Sequence, residues 1–295
     1  MSESMYKGTG VALVTPFKND LQVDYSALEN IVNHVINNGV DFLVALGTTS
    51  EAAVLSAEEK TLVVETIVNV NNGRVPVMLG VGGNNTADIL NQLKQQKFHG
   101  ITGILSVVPY YNKPQQEGIK AHFKAIADVS RVPVILYNVP GRTAQNMTAK
   151  TCLELAKHPN IVAVKEASGD FQQVMEILRD KPDNFSVLSG EDALTMPLIA
   201  LGADGVISVA ANAYTRDFSD MVSLQRAGET AKARALHYKM LELTNLLFED
   251  GNPAGVKALL NLMGLCEDAL RLPLVSMRSD LKLRMKKIID QNQIH

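Results

Sequence analysis

The sequence of 295 residues has only two cysteines, no long apolar run and no excess of basic residues. Cys152 and Cys266 are far apart and fall in helical patterns, so we expect two free thiols in a reducing cytoplasm. The absence of an N-terminal signal core, or of a run of about 18 apolar residues, predicts no export and no membrane partner. The formal net charge of -3, without a Lys/Arg-rich block, argues against a nucleic-acid partner. We expect a soluble cytoplasmic protein.

Metal-ligand spacings and nucleotide-binding loops are also missing. No two of the six histidines have the spacing of zinc ligands, which argues against a histidine-ligated metal and against a Ser-His-Asp triad. Neither GxGxxG nor GxxxxGK[ST] occurs, and a doubly wound sheet usually carries such a loop after its first strand. We therefore predict no metal and no cofactor, and we disfavour the doubly wound sheet.

Short apolar runs alternate with helical patterns along most of the chain. The runs predict eight strands, near residues 10–15, 42–46, 75–81, 101–107, 132–138, 161–166, 185–189 and 205–209. Asp24 and Ser56 are the predicted N-caps of the first two helices, and Glu59 completes a capping box with Ser56. Eight parallel strands that alternate with helices indicate an α/β fold, the (β/α)8 TIM barrel. We predict this barrel over residues 1–227 and a C-terminal helical appendage over residues 228–295.

The stretch from residue 160 to residue 169 places a lysine at the end of a buried strand. Four apolar residues lead into Lys165, and Gly169 closes the run. A desolvated ammonium is costly, and a lysine that loses its proton there is a good amine nucleophile for a carbonyl carbon. The alternative is a barrel-wall lysine whose head reaches solvent or pairs with Glu166. This stretch alone favours the barrel-wall lysine. The residues at the other strand ends favour the nucleophile instead.

The active site of a barrel lies at the carboxyl ends of its strands, so polar residues there should converge. Lysine with tyrosine suits imine chemistry, because a Schiff base is an electron sink and a phenol can move protons. Backbone N–H groups of a turn can hold one carboxylate, and an arginine can clamp another. Taken singly, each residue has a structural explanation, such as a helix cap or a core tyrosine, and Glu51 and Glu191 fit the first turns of helices. The residues at the predicted strand ends are Thr48, Thr49, Tyr110, Tyr111, Tyr137, Arg142, Lys165 and Gly190.

These residues resemble those of a known family, the pyruvate-dependent class I aldolases of the dihydrodipicolinate synthase and N-acetylneuraminate lyase superfamily. The likeness covers essentially the whole chain, and its most specific parts are Tyr137-Asn-Val-Pro-Gly-Arg-Thr143, Val162-Ala-Val-Lys-Glu-Ala167 and Gly47-Thr-Thr-Ser-Glu51. The resemblance implies a lyase that condenses pyruvate with aspartate 4-semialdehyde through a lysine Schiff base. Its product would be 4-hydroxy-tetrahydrodipicolinate, on the diaminopimelate route to lysine. It also implies a homotetramer built as a dimer of dimers.

The same resemblance implies roles for the strand-end residues. Lys165 would form the imine with pyruvate. Tyr137 would be the general acid/base, with a proton relay through Thr48 and Tyr111, and Tyr111 would reach in from a neighbouring subunit. Thr48 and Thr49 would hold the pyruvate carboxylate. These four side chains and Lys165 would thus form the reaction centre.

Arg142 separates this interpretation from its rivals. It would bind the carboxylate of aspartate semialdehyde, whereas sibling aldolases that cleave N-acetylneuraminate or a 2-keto-3-deoxy sugar acid lack it in this loop. A catalytically silent barrel that binds a keto acid is a third alternative. Gly190 and Ile207 would supply main-chain contacts around the lysine. One departure is Ser50, which stands where the family usually has glycine.

The family's lysine feedback site has matching residues in Asn84, Asp88 and Tyr110, so we regard these as a possible allosteric lysine site. Strongly inhibited members carry histidines where this chain has Ala57 and Lys60, and the usual glutamate is the shorter Asp88. An additional cation at Lys60 would repel the ammonium of a lysine ligand. We expect weak or absent feedback inhibition.

Overall fold

A computed structural model describes residues 6–292, which form a closed barrel of eight parallel strands. Each strand pairs with its neighbours in chain order, and the last pairs with the first. The predicted TIM barrel is confirmed, and the predicted strands agree with the observed ones to within a few residues. The strands are β1 Gly8–Ala12, β2 Phe42–Ala45, β3 Val77–Gly80, β4 Gly103–Val107, β5 Val134–Asn138, β6 Ile161–Glu166, β7 Ser186–Ser189 and β8 Gly205–Ser208.

Helices connect the strands and continue beyond the last of them. Asp24 and Ser56 cap the first two helices as predicted, and the Glu59 carboxylate completes the capping box by accepting from the Ser56 N–H at 2.9 Å. In residues 6–292, no helix is long and apolar enough to cross a membrane. The helices are α1 Tyr25–Asn37, α2 Ala57–Asn71, α3 Thr86–Gln95, α4 Gln116–Val129, α5 Pro140–Thr143, α6 Ala149–Leu155, α7 Phe171–Asp180, α8 Thr195–Ala200, α9 Thr215–Arg226, α10 Thr230–Leu246, α11 Ala254–Leu262 and α12 Ser279–Asn292.

Two layers of apolar side chains hold the barrel together. An inner cluster, which includes Phe42, Leu105, Leu188 and Ile207, fills the lumen, and a larger cluster lies between the strands and the helices. Because the strands are buried on both faces, side chains with chemical functions are confined to the strand ends and the loops that follow. We therefore expect the functional site at the carboxyl end of the barrel.

The C-terminal helices pack, through α10, on α8 and α9, the last helices of the barrel. α10 lies against α8 and α9, and α12 lies against α10 and α11. From Ala254 to Leu260 every residue of α11 is buried, including Lys257. The division of the chain into two regions at residue 227 remains a prediction. Helix α10, on the far side of this boundary, packs directly against α9.

Candidate active site

Lys165 is the penultimate residue of β6 and points into the carboxyl end of the barrel. Its side chain is 5% exposed, and its Nζ lies 4.5 Å from the centroid of the Tyr137 ring. The two residues are direct neighbours, because β5 and β6 pair in a register that sets Tyr137 beside Lys165. The strand pairing thus brings the predicted nucleophile and the predicted proton carrier together.

The alternative partner of Lys165, Glu166, points to the other side of the strand, as successive residues of a strand do. Its carboxylate accepts hydrogen bonds from the Asn138 amide at 3.0 and 3.1 Å, from the Ser168 N–H at 2.8 Å and from the Gln173 amide at 3.1 Å. Burial raises the pKa of Glu166, and these hydrogen bonds oppose the rise. The proposed Lys165–Glu166 pair is therefore wrong, and Glu166 instead joins the end of β5 to the residues that follow β6.

A cavity of about 110 Å³ surrounds the lysine head. One water molecule needs about 10–15 Å³ of cavity volume, so the cavity has room for a molecule of a few heavy atoms. Six of the predicted site residues line it, and Ile207 lies in the lumen cluster while Val209, further along, reaches the cavity. The predicted residues in the lining are Thr48, Thr49, Tyr137, Arg142, Lys165 and Gly190.

Gly190 leaves the space that the lysine side chain occupies. A Cβ at this position would lie 3.0 Å from Cε of Lys165 and 2.5 Å from Cβ of Ala167. The contact with Ala167 is closer than carbon atoms tolerate, and the contact with Lys165 is tight. A side chain at residue 190 would therefore force Ala167 to move and would crowd the lysine.

The turn after β2 presents two unpaired backbone donors to the cavity. Thr48–Ser50 forms one turn of 3-10 helix, in which the N–H groups of Ser50 and Glu51 bond to Gly47 and Thr48. No residue in the described part of the chain accepts from the N–H of Thr48 or Thr49. Ser50, at the position where glycine is usual, closes the turn by donating from its Oγ to the Gly47 carbonyl at 2.7 Å. The turn can therefore bind a carboxylate, the acceptor that such N–H groups favour.

Glu51 ends this turn in the left-handed conformation, at φ 54°, and is buried. Its Oε1 accepts from Nζ of Lys257 at 2.5 Å, and its Oε2 accepts from the N–H of Arg271 at 3.1 Å. Lys257 is fully buried and also donates to the Ala269 carbonyl at 2.9 Å. A buried ion pair with α11 holds Glu51, so its assignment to a helix dipole is wrong.

Two charged residues from different strand ends lie at the cavity. Arg142, on α5, is exposed and follows Pro140, the first residue of that short helix. Glu191 follows β7, and burial raises its pKa, with the neighbouring Asp192 adding to the rise. The charges of Lys165 and Arg142 act in the opposite direction on Glu191. The mouth of the cavity thus offers a cation that faces solvent.

The two tyrosines after β4 lie away from the cavity of their own chain. Tyr111 is 88% exposed and adopts a positive φ of 73°, and Tyr110 is 42% exposed. Next to them, the Asn112 amide donates to the Asn84 carbonyl at 2.9 Å and links the loops after β3 and β4. Neither tyrosine lines the cavity described above.

The other feedback-site positions lie around α2 and α3. Asp88, in the first turn of α3, accepts from the Asn85 amide at 2.8 Å. Ala57 and Lys60 line a second cavity of about 710 Å³ between α2 and α3. This second cavity shares no lining residue with the cavity around Lys165, and His99 also lines it.

Two lining residues, Phe248 and Asn252, come from the C-terminal helical region, and the sequence did not predict them. The Asn252 amide nitrogen donates to Oγ1 of Thr49 at 3.0 Å, across 203 residues of chain. The only sequence signal was a polar residue in the helix break at Gly251-Asn252-Pro253. Among residues 6–292, no group of His, Cys, Asp and Glu could hold a metal ion.

Comparison with known proteins gives consistent results over the full length. The model of the dihydrodipicolinate synthetase family matches residues 5–292. A 4-hydroxy-tetrahydrodipicolinate synthase of Parabacteroides distasonis is 51% identical over 295 residues, 100% of this chain and 99% of the relative. That of Flavobacterium psychrophilum is 53% identical over 279 residues, 94% and 95% of the two chains.

Solved structures also match this chain over nearly its whole length. The crystal structure of dihydrodipicolinate synthase from Aquifex aeolicus has a TM-score of 0.94 and 39% identity, over 98% of this chain and 99% of the other. A dihydrodipicolinate synthase variant described as monomeric has a TM-score of 0.95 and 36% identity, over 99% and 98% of the two chains. The fold and the sequence therefore point to one family.

Proposed function

The chain belongs to the dihydrodipicolinate synthetase family, and from this premise we propose that it is a 4-hydroxy-tetrahydrodipicolinate synthase that joins pyruvate to aspartate 4-semialdehyde. The observation that carries the proposal is Lys165, a buried amine 4.5 Å from the Tyr137 ring in a small cavity at the barrel's carboxyl end. A primary amine in such a place suits attack on a ketone carbon. The enzyme is thus a lyase of the Schiff-base type.

The amine of Lys165 attacks the keto carbon of pyruvate and gives a carbinolamine, which loses water to form an imine. The imine withdraws electrons from the neighbouring methyl group, which then loses a proton and becomes an enamine carbon. That carbon attacks the aldehyde carbon of the second substrate and forms the new C–C bond. The amino group that came with the semialdehyde then attacks the imine carbon, closes the ring and displaces the Lys165 amine, which releases the cyclic product.

Each of these steps moves a proton, and Tyr137 is the group placed to move it. Its ring adjoins Lys165, and its side chain is 7% exposed at the cavity wall. General acid/base catalysis of this kind contributes about 10²–10⁴-fold to rate. We assign the relay partner within the chain to Thr48, which also lines the cavity.

The two carboxylates of the substrates have separate donors. The unpaired N–H groups of Thr48 and Thr49 hold the pyruvate carboxylate on one side of Lys165. Arg142, at the exposed mouth, receives the carboxylate of the semialdehyde as this substrate enters. The exposed position of the guanidinium suits the second substrate, since that substrate arrives after the imine has formed.

The exposure of Tyr111 supports a homotetramer built as a dimer of dimers. A tyrosine that is 88% exposed and does not line its own cavity is available to the cavity of a neighbouring subunit. In this proposal Tyr111 of one subunit completes the proton relay of another. A cytoplasmic location is also part of the proposal, and the free thiols of Cys152 and Cys266 fit a reducing compartment.

The decisive experiment is intact mass after incubation with pyruvate and borohydride. We expect wild-type protein and Lys157→Ala to gain one reduced pyruvate unit, and Lys165→Ala to gain none. Lys157 is a matched control, because it is exposed just before the other end of β6. A wild-type protein without adduct would refute the proposal.

A second measurement identifies the acceptor. Turnover of pyruvate with aspartate semialdehyde, coupled to a reductase that consumes the product, is expected in wild-type protein. Cleavage of N-acetylneuraminate or a 2-keto-3-deoxy sugar acid without semialdehyde turnover would instead identify a sibling aldolase. An adduct without turnover of any of these substrates would indicate a keto-acid-binding barrel.

A further inference from the structure

Helix α11 and the residues just before it contact the turn that faces the cavity at two places. Asn252 donates to the Thr49 hydroxyl in the middle of the turn at 3.0 Å, and Lys257 pairs with Glu51 at its end. The start of α11 is itself held tightly, because a Cβ at Gly255 would lie 2.1 Å from the carbonyl of Leu247, the residue that follows α10. The position of Asn252 relative to Thr49 is therefore fixed by packing and by a buried ion pair.

The direction of the Asn252 amide has a consequence for the Thr49 hydroxyl. A hydroxyl has one hydrogen and two acceptor sites, and the amide N–H occupies one acceptor site. No residue in the described chain accepts the hydrogen of this hydroxyl. The hydrogen therefore remains available to the cavity, beside the unpaired N–H of the same residue.

The direction of the Asn252 amide decides what the Thr49 hydroxyl can do. In the observed direction the Asn252 Oδ1 is buried and has no hydrogen-bond partner among residues 6–292. If the amide were reversed, its oxygen would accept the Thr49 hydrogen and draw it away from the cavity. The observed direction thus leaves Thr49 as a donor to whatever occupies the cavity.

We propose that Asn252 is a positioning residue that directs the Thr49 hydroxyl at the pyruvate carboxylate, so that the C-terminal region completes the keto-acid pocket. The inference rests on the proposed function and deepens it. Asn252 does not react. It keeps one carboxylate donor pointed inward before pyruvate arrives.

The test measures the pyruvate concentration that half-saturates the borohydride-trapped adduct on Lys165, together with kcat. Asn252→Ala frees the hydroxyl to rotate, and we expect the half-saturating concentration to rise about 3–10-fold, the effect of one hydrogen bond. Asn252→Asp adds an acceptor that competes for the Thr49 hydrogen and a charge that repels the carboxylate, so its effect should exceed that of Asn252→Ala. At saturating pyruvate, kcat should change less than half-saturation does in both variants.

A double-mutant comparison separates positioning from a general structural effect. In a Thr49→Val background there is no hydroxyl to direct, so Asn252→Ala should alter half-saturation by less than about 2-fold. An undiminished effect of Asn252→Ala there would overturn the inference. Asn245→Asp is the matched control, because Asn245 is exposed on α10 and the charge change is the same.

The outcomes distinguish this inference from the proposed function. If wild-type protein forms no adduct, the proposed function fails. If wild-type protein forms the adduct and both Asn252 variants saturate as wild type does, only the inference fails. Should Asn252→Asp melt well below the control, Asn252→Ala and the Thr49→Val background still decide the question.

Discussion

Replacement of Lys257 by methionine tests whether the buried ion pair holds the turn that faces the cavity. Lys257 is fully buried, its Nζ donates to Glu51 and to the Ala269 carbonyl, and it lies 4.1 Å from the centroid of the Phe17 ring. Burial lowers the pKa of Lys257, and the Glu51 carboxylate opposes that fall. Methionine fills a similar volume but leaves Glu51 buried with the Arg271 N–H as its one donor among residues 6–292.

Removal of one partner of a buried pair costs about 3–5 kcal/mol, because the other charge remains desolvated. Against a total stability of about 5–15 kcal/mol, this is a large loss. It corresponds to a melting temperature about 5–8 °C lower for a chain of this size. The reference is Lys124→Met, an exposed lysine on α4, whose effect should stay within about 0.5 kcal/mol.

The charge itself is tested by adding Glu51→Gln to Lys257→Met. The neutral amide removes the desolvated charge, so the double variant should regain about 2 kcal/mol over Lys257→Met alone. The assay is urea unfolding followed by circular dichroism at one protein concentration. The reasoning would be refuted if Lys257→Met unfolded like Lys124→Met. It would also be refuted if Glu51→Gln destabilised both backgrounds equally.

Three further predictions concern the acceptor site, acid stability and feedback. Arg142→Ala should raise the semialdehyde KM and lower kcat/KM by the equivalent of about 2–4 kcal/mol, and unchanged steady-state kinetics would contradict the assignment of Arg142. Burial lowers the pKa of His122 to about 4, so the unfolded chain takes up its proton first and stability falls as pH drops from about 6.5 to 4. His122→Gln should reduce that fall by about 3 kcal/mol in urea unfolding at the two pH values, and an equal fall in both proteins would exclude His122 as its source. Free lysine should inhibit turnover weakly, since Lys60 repels its ammonium, and half-inhibition below millimolar lysine would contradict this.

The barrel could be predicted because the alternation of apolar runs and helical patterns is visible within short stretches of the sequence. β-Branched runs such as that before Lys165 indicate strands buried on two faces, and capping residues such as Asp24 and Ser56 mark where the helices begin. The strand-end rule then selected Lys165, Tyr137 and the Thr48–Thr49 turn as candidates. Each of these signals lies within a few residues of the group that it concerns.

Register and long-range contacts were decided only by the tertiary structure. The pairing of β5 with β6 places Tyr137 beside Lys165, and no local pattern specifies that register. The partners of Glu51 and Thr49 lie about 200 residues further along, at Lys257 and Asn252, where the sequence shows an ordinary helix and a helix break. A buried charge takes whichever opposite charge the packing brings to it, because desolvation and not sequence distance sets the cost of leaving it unpaired. The amino-acid pattern thus determined the barrel and its reactive groups, and only the folded chain determined which residues hold them in place.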